Sequence, residues 1–250
     1  MGLSINKNLR KNRNSQWYNV EELRILQKKK LFAILSHCND HIPYYQNLFK
    51  DYSFDINGDL TEELKKIPIL TKQIIKQHLP YDLTDKTRKI YTIEKTSGSS
   101  GEQGEFYLDR DAFSKIIAAQ TLYWEWAGYS FGKKTIQTGI NPERGFKKQV
   151  KDKLLLIKYS DAFKIDRKTT LKTLNPFRNK KNVFFIGYPS SIYSYAKIAE
   201  ELGINDLSFK SIISLGDKMF PHYRSLIENI FKTEVFDTYG AAEGLMIAGE

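Results

Sequence analysis

Val183-Phe184-Phe185-Ile186, followed at once by Gly187-Tyr188-Pro189-Ser190, decides the fold class of this 250-residue chain. Four consecutive apolar residues bounded by charge on one side and by Gly and Pro on the other read as a strand buried on both faces. Helical spacing takes over at residues 190–202, and Gly203 ends it. The alternation then repeats. Ser211-Ile212-Ile213-Ser214-Leu215 reads as a strand, residues 222–231 as a helix opened by Pro221, and Glu234-Val235-Phe236-Asp237 as a strand again. Upstream, residues 135–140 make another strand. This alternation predicts an α/β domain with mixed, largely parallel sheets flanked by helices. Ligands of such sheets gather at loops beyond the strands' carboxyl ends. Three loops qualify: Gly187-Tyr188-Pro189-Ser190, Gly216-Asp217-Lys218 and Thr238-Tyr239-Gly240-Ala241-Ala242-Glu243-Gly244. The last offers an aromatic, small residues and an acid, which suits a stacked base and a divalent metal.

Outward toward the N-terminus lies a second loop, Thr96-Ser97-Gly98-Ser99-Ser100-Gly101, between strand-like residues 89–93 and 106–108. Its glycines tolerate positive φ, and its amides and hydroxyls can converge on an anion. The same composition also suits a plain turn or linker. No Gly-x-x-x-x-Gly-Lys-Ser/Thr and no Gly-x-Gly-x-x-Gly after a strand occurs in the chain. Asp109 or Asp111 caps a long amphipathic helix ending at Gly128. Further upstream, Asn19 and Glu22 have capping-box spacing before a helix with Val20, Leu23, Leu26, Leu31, Ile34 and Leu35 as its apolar stripe. Pro43 interrupts that helix. His37, Cys38 and His41 suggest a metal site but have no second Cys/His pair, so a surface or core role is expected. Thr61 starts one short helix and Thr71 caps another at residues 72–79. Residues 1–18 are polar and basic and are expected to be poorly ordered.

Hydrophobic residues make up 41% of the chain and aromatic residues 13%, enough for a substantial core. A single cysteine, Cys38, excludes an internal disulfide and suggests a reducing compartment. The N-terminus has no secretory apolar core, and no apolar run could span a bilayer. A cytoplasmic location is therefore expected. Net charge is +10, unevenly spread: residues 141–181 carry 13 basic and 4 acidic residues, a net +9, whereas residues 201–250 are net acidic. The basic segment would attract nucleic acid, lipid head groups or nucleotides, but its aromatics do not alternate with charge as a stacking platform would. A solvated loop-and-helix surface is the expected reading, ahead of nucleic-acid or membrane contact. A homodimer stays open.

Taken together, these motifs resemble the acyl-adenylate-forming (AMP-binding) superfamily, in its phenylacetate–CoA ligase-like, CapK-type branch of polysaccharide biosynthesis. Residues 96–101 resemble that family's phosphate loop, and Tyr239-Gly240-Ala241-Ala242-Glu243 its Tyr-Gly-x-Thr/Ser/Ala-Glu motif. Gly216-Asp217-Lys218 stands where the branch has Gly-Glu or Gly-Ala-Glu. Ile67-Pro68-Ile69-Leu70-Thr71-Lys72 and Gly187-Tyr188-Pro189-Ser190-Ser191 are similar to two further signatures. The resemblance covers nearly everything from residue 20 onward and implies ATP-dependent activation of a carboxylic acid. Thr96, Ser97, Gly98, Ser99, Ser100 and Gly101 would hold the β- and γ-phosphates of ATP. Tyr239 would stack on adenine beside Gly240 and Ala241, Gly216 and Asp217 would line the pocket, and Glu243 would ligate Mg²⁺. Thr96 and Glu243 are the implied catalytic residues. A small-molecule carboxylate is the implied substrate, with CoA or a sugar amine as acceptor. Trp124, Tyr188 and the segment near Asn141 are candidates for the acid pocket.

Three departures accompany the resemblance. The family's Pro-Lys after the phosphate loop is replaced by Gln103-Gly104, and Ala242 lacks a hydroxyl. The family's ribose-binding acid, hinge and small C-terminal domain with its catalytic lysine would fall beyond residue 250. Residues 19–250 are accordingly expected to form an incomplete adenylation large domain, without the small domain. The alternative is a non-catalytic nucleotide-binding or assembly module that keeps the fold.

Overall fold

A computed structural model describes residues 4–96, 103–139, 145–241 and 243–250. The chain divides into two compact units, residues 1–118 and 119–250. Residues 97–102, 140–144 and 242 fall outside the description, and with them the expected phosphate donors Ser97, Gly98, Ser99, Ser100 and Gly101, together with Asn141 and Ala242.

The first unit is mainly helical. Helix α1 (Ile5–Ser15) occupies the N-terminus expected to be poorly ordered; it buries Leu9 and is tied down where the Ser4 amide donates to Ser114 Oγ at 3.2 Å. Helix α2 (Val20–His41) begins with the predicted capping box: the Glu22 amide donates to Asn19 Oδ1 at 2.9 Å, and the Asn19 amide to Glu22 Oε2 at 2.8 Å. Such a box is worth about 1 kcal/mol. Its apolar stripe is not a core face, because Val20, Leu23 and Ile34 are exposed and Leu35 alone among the helix's described residues is fully buried. Pro43 does not merely stop α2. It takes the first position of α3 (Pro43–Asp51), where a missing N–H costs nothing. Helices α4 (Leu60–Leu64) and α5 (Lys72–His78) follow, capped by Asp59 and Thr71. Strands β1 (Thr92–Lys95) and β2 (Glu105–Leu108) pair antiparallel, with Lys95 opposite Glu105. The β1 strand lies later than its apolar pattern predicts because this register joins Lys95 and Glu105 in an ion pair of 2.6 Å. Helix α6 (Arg110–Trp126) is capped by Asp109, whose Oδ1 accepts from the Ala112 amide at 2.7 Å.

The second unit contains β3 (Thr135–Gly139), α7 (Phe146–Leu154), β4 (Ile157–Asp161), α8 (Arg167–Leu174), β5 (Phe184–Gly187), α9 (Pro189–Glu201), β6 (Ser211–Ser214), α10 (Pro221–Phe231), β7 (Val235–Ala241) and β8 (Leu245–Gly249). The six strands form one sheet in the order β4-β3-β5-β6-β7-β8. Every neighbouring pair is parallel except β7 with β8. The predicted mixed, largely parallel sheet is thus present. The basic segment read as solvated surface supplies α7, β4 and α8, and the terminal β8 was also unforeseen.

Strand alternation divides the core between the two faces. On one, Phe185 and Ile212 pack with Tyr195 of α9 and with Ile227 and Phe231 of α10; on the other, Phe184, Ile186 and Ile213 pack with Ala127 and Tyr129. Burial on both faces is why these strands lack polar alternation. Trp124, a candidate for the acid pocket, is half-buried against the second of these clusters.

Candidate functional site

The carboxyl ends of the parallel strands line one edge of the second unit. From β3 the chain passes first to β4 on one side and then to β5 on the other, so its strand order reverses between β3 and β5. A crevice at the carboxyl ends is expected at such a reversal.

Three glycines shape this edge. A Cβ on Gly187 would stand 1.9 Å from Thr138 Oγ1, and one on Gly139 would stand 2.1 Å from the Tyr159 hydroxyl oxygen. Gly216 has φ +78°, and a Cβ there would meet the Tyr188 ring at 2.7 Å. Glycine at these positions is therefore a packing requirement, since a side chain would occupy space taken by Thr138, Tyr159 or Tyr188. Thr138 Oγ1 lies 2.8 Å from Ser191 Oγ, and Ser191 Oγ donates to the Tyr188 carbonyl at 2.9 Å. This chain of hydroxyls fixes the start of α9 against the end of β3. Burial pushes the Tyr188 hydroxyl above its ordinary pKa, and Tyr159 and the Asp217 carboxylate add to the shift. Tyr188 therefore remains a neutral hydrogen-bond donor at physiological pH.

Gly216 and Asp217 follow β6, as the sequence places them. Tyr239, Gly240 and Ala241, predicted in a loop, lie instead within β7. Pairing with β8 extends the strand: Tyr239 faces Ala248, Gly240 faces Met246 and Ala241 faces Leu245, with an irregularity between Tyr239 and Gly240. Ser214 at the end of β6 pairs with Asp237, so residues 238–241 run past β6 alongside the Gly216 turn. At about 3.3 Å per residue this overhang reaches roughly 13 Å. Ser214 Oγ donates to the Asp237 carboxylate, and Thr238 Oγ1 donates to the Ser214 carbonyl at 2.6 Å, so the overhang is anchored at its base. Tyr239 is 65% exposed, leaving much of its ring open to solvent. Glu243 is exposed in the β7–β8 turn, which closes where the Gly244 amide donates to the Ala241 carbonyl at 3.0 Å. Gly244 takes φ +93° in this turn, a backbone conformation that glycine adopts without steric cost.

In the first unit, Thr96 ends the β1–β2 hairpin described residue by residue on both sides of the serine-glycine loop. Its amide donates to the Gly104 carbonyl at 3.0 Å, and its Oγ1 accepts from the Gly104 amide at 2.8 Å. This leaves the Thr96 O–H to donate. Gly104, where the resembled family has lysine, is buried against Phe106 and Thr96. Among the described residues no group of three or more His, Cys, Asp or Glu could hold a metal ion. Cys38 lies beside His37 and His41, but burial pushes its thiol up to about 11, and a protonated thiol is a poor ligand.

Sequence reasoning missed Thr138, Gly139 and Tyr159. The strand carrying Tyr159 was unrecognised, and the Thr-Gly ending of β3 signals close approach only once β5 is known to lie beside it.

No family model matches the chain. Two curated phenylacetate–coenzyme A ligases are similar to part of it. The enzyme of Thermus thermophilus is 26% identical over 103 residues, covering 39% of this chain and 23% of the ligase. That of Escherichia coli is 30% identical over 105 residues, covering 40% and 24%. The chain therefore spans about a quarter of the length of the curated relatives it matches. Among solved structures, a 2-hydroxyisobutyryl-CoA ligase in complex with 2-HIB-AMP and CoA aligns with TM-score 0.70 and 16% identity, over 92% of this chain and 52% of that one. An open conformation of the same ligase gives 0.64 and 16%, over 86% and 53%. At that identity the likeness is one of fold: the chain has the α/β architecture of about half of that CoA ligase.

Proposed function

We propose that the chain binds Mg·ATP and serves the activation of a carboxylic acid as its acyl-adenylate, in the manner of a CoA ligase. The observation that carries this reading is the carboxyl edge of the second unit. There a side-chain-free turn at Gly216 lies beside a strand overhang that bears an open tyrosine ring and ends in an exposed carboxylate. Adenine would stack on Tyr239, with Gly240 and Ala241 beside it and Gly216 and Asp217 lining the pocket. Residues 96–101 would donate to the β- and γ-phosphates, Thr96 through its remaining O–H. The acid would be activated for transfer to CoA or to a sugar amine, the latter in polysaccharide biosynthesis.

Glu243 suits Mg²⁺ because that ion keeps several waters and takes its remaining ligands from one or two carboxylates and substrate phosphates. Bound there, Mg²⁺ would neutralise phosphate charge. The chain's own contribution is positioning: a carboxylate substrate attacks the α-phosphorus, pyrophosphate leaves, and no general base is needed. Hydroxyl donors such as Thr96 and neutral Tyr188 supply hydrogen bonds without competing for the metal.

Calorimetric titration with Mg·ATP, followed by ATP–pyrophosphate exchange over a panel of carboxylic acids, tests the reading. Binding should weaken by about tenfold or more in Tyr239→Ala, from lost stacking. Exchange should fall further in Glu243→Ala, while thermal melting stays unchanged because both side chains are exposed. Absence of Mg·ATP binding sinks the proposal. Binding without exchange would favour the non-catalytic module, the reading that buried Gly104 in place of lysine supports.

A further inference from the structure

Helix α7 is built inside out. Its sequence, Phe-Lys-Lys-Gln-Val-Lys-Asp-Lys-Leu, places Phe146, Val150 and Leu154 four residues apart on one helical face. A helix packed on a sheet turns such a stripe inward. Here Phe146 is 80% exposed, Val150 42% and Leu154 76%, while Asp152 on the opposite face is only 6% exposed. Leu156, two residues beyond the helix, is exposed as well. Lys151 and Lys153 flank the stripe on either side.

A second feature adjoins the first. At the amino edge of the sheet, opposite the candidate nucleotide site, Lys134, Lys153, Lys158 and Lys180 surround a cavity of about 300 Å³ floored by Leu156, Ile157, Pro176 and Phe177. Lys153 and Leu156 belong to both features. With Asp152 turned inward and Asp161 at the far, carboxyl end of β4, the outward charge around the cavity is positive.

We propose that this face docks on an anionic lipid surface. Phe146, Val150 and Leu154 enter the boundary between head groups and acyl chains, the flanking lysines pair with head-group phosphates, and the lysine-ringed cavity receives one anionic head group. Charge decides the occupant. A second copy would bring another segment of net +9 against this one, and nucleic acid would leave the apolar stripe in water. Apolar side chains flanked by lysines match an anionic membrane interface on both counts. A single short helix gives weak, reversible attachment, so both kinds of contact are needed.

The test is cosedimentation of the full chain with sucrose-loaded vesicles at about 0.15 M salt, comparing pure phosphatidylcholine with a mixture holding about 30 mol% phosphatidylglycerol. Binding is expected with the anionic vesicles only. Phe146→Ser with Leu154→Ser, and separately Lys151→Glu with Lys153→Glu, should each lower partitioning at least about tenfold, with melting temperatures unchanged. In Phe146→Trp, the introduced indole should shift its emission to the blue on vesicle addition. Equal binding to neutral vesicles, no binding to anionic ones, or binding undiminished in both double variants overturns the proposal. So does a concentration-dependent dimer that vanishes in Phe146→Ser with Leu154→Ser, which would assign the stripe to a second copy. Mg·ATP titration of the same variants separates this inference from the nucleotide reading, since none of the substituted residues belongs to the candidate nucleotide site.

Discussion

The two edges of the parallel sheet are made by the same strands and have opposite chemistry. At the carboxyl edge the strands end in Gly139, Gly187 and, two residues after β6, Gly216, whose missing side chains admit Thr138, Tyr159 and Tyr188. At the amino edge Lys134 leads into β3 and Lys158 lies near the start of β4, ringing an apolar floor. Small residues allow close backbone approach and precise positioning; long lysine stems cover apolar surface while keeping charge in water. One edge is thus shaped for an enclosed small molecule and the other for a broad anionic surface.

The largest effect is expected where both edges depend on one residue. Phe185, fully buried at the middle of the sheet against Tyr195, Phe209 and Phe231, should cost about 3–5 kcal/mol when cut to alanine, read by urea unfolding. The two ligand surfaces should then be lost together. A selective break comes from Gly187→Ala, whose new methyl collides with Thr138 Oγ1. About 1–3 kcal/mol should be lost, and adding Thr138→Ala should restore part of it, an interaction visible in a double-mutant cycle. Vesicle binding should survive Gly187→Ala if the edges are independent. At the other edge, Lys134→Ala and Lys180→Ala should each change stability by less than about 0.5 kcal/mol while weakening vesicle binding.

The first unit supplies a separate test at two of its own carboxylates. Asp85 and Asp109 both have carboxyls held below the ordinary value. For Asp85 the Thr87 hydroxyl is the main cause; for Asp109 burial acts upward but is outweighed by the Ala112 amide and the Arg88 guanidinium. Depressed folded-state values stabilise above the unfolded pKa of 3.8 and lose that contribution as pH falls through the lower folded values. The protection of α6 amides against hydrogen exchange, taken relative to intrinsic rates at each pH, should therefore fall below about pH 4, and Asp109→Asn should flatten that dependence.

Much of this was legible in sequence because it rests on local rules. The Asn19–Glu22 capping box, the Thr71 cap and the buried strands β5 and β6 each follow from residues a few positions apart. The misses share the opposite property. Pro43 opens a helix because its neighbours pack that way, and β4 hides among lysines because its alternation is interrupted by charge. Tyr239 and Ala241 belong to a strand only because β8 returns to pair with them. The stripe of α2 reads as a core face and is largely exposed, a difference periodicity cannot reveal.

The sequence by itself determined the α/β class, the turns after β5 and β6, and the residue types at residues 96–101 and 239–243, since backbone propensity and spacing are carried by neighbours in the chain. Tertiary structure alone decided which side chains share the carboxyl edge, that Asp152 rather than Phe146 faces inward on α7, and that lysines from four separate segments ring one cavity. Those outcomes depend on strand order and packing, which bring together residues that local spacing cannot relate.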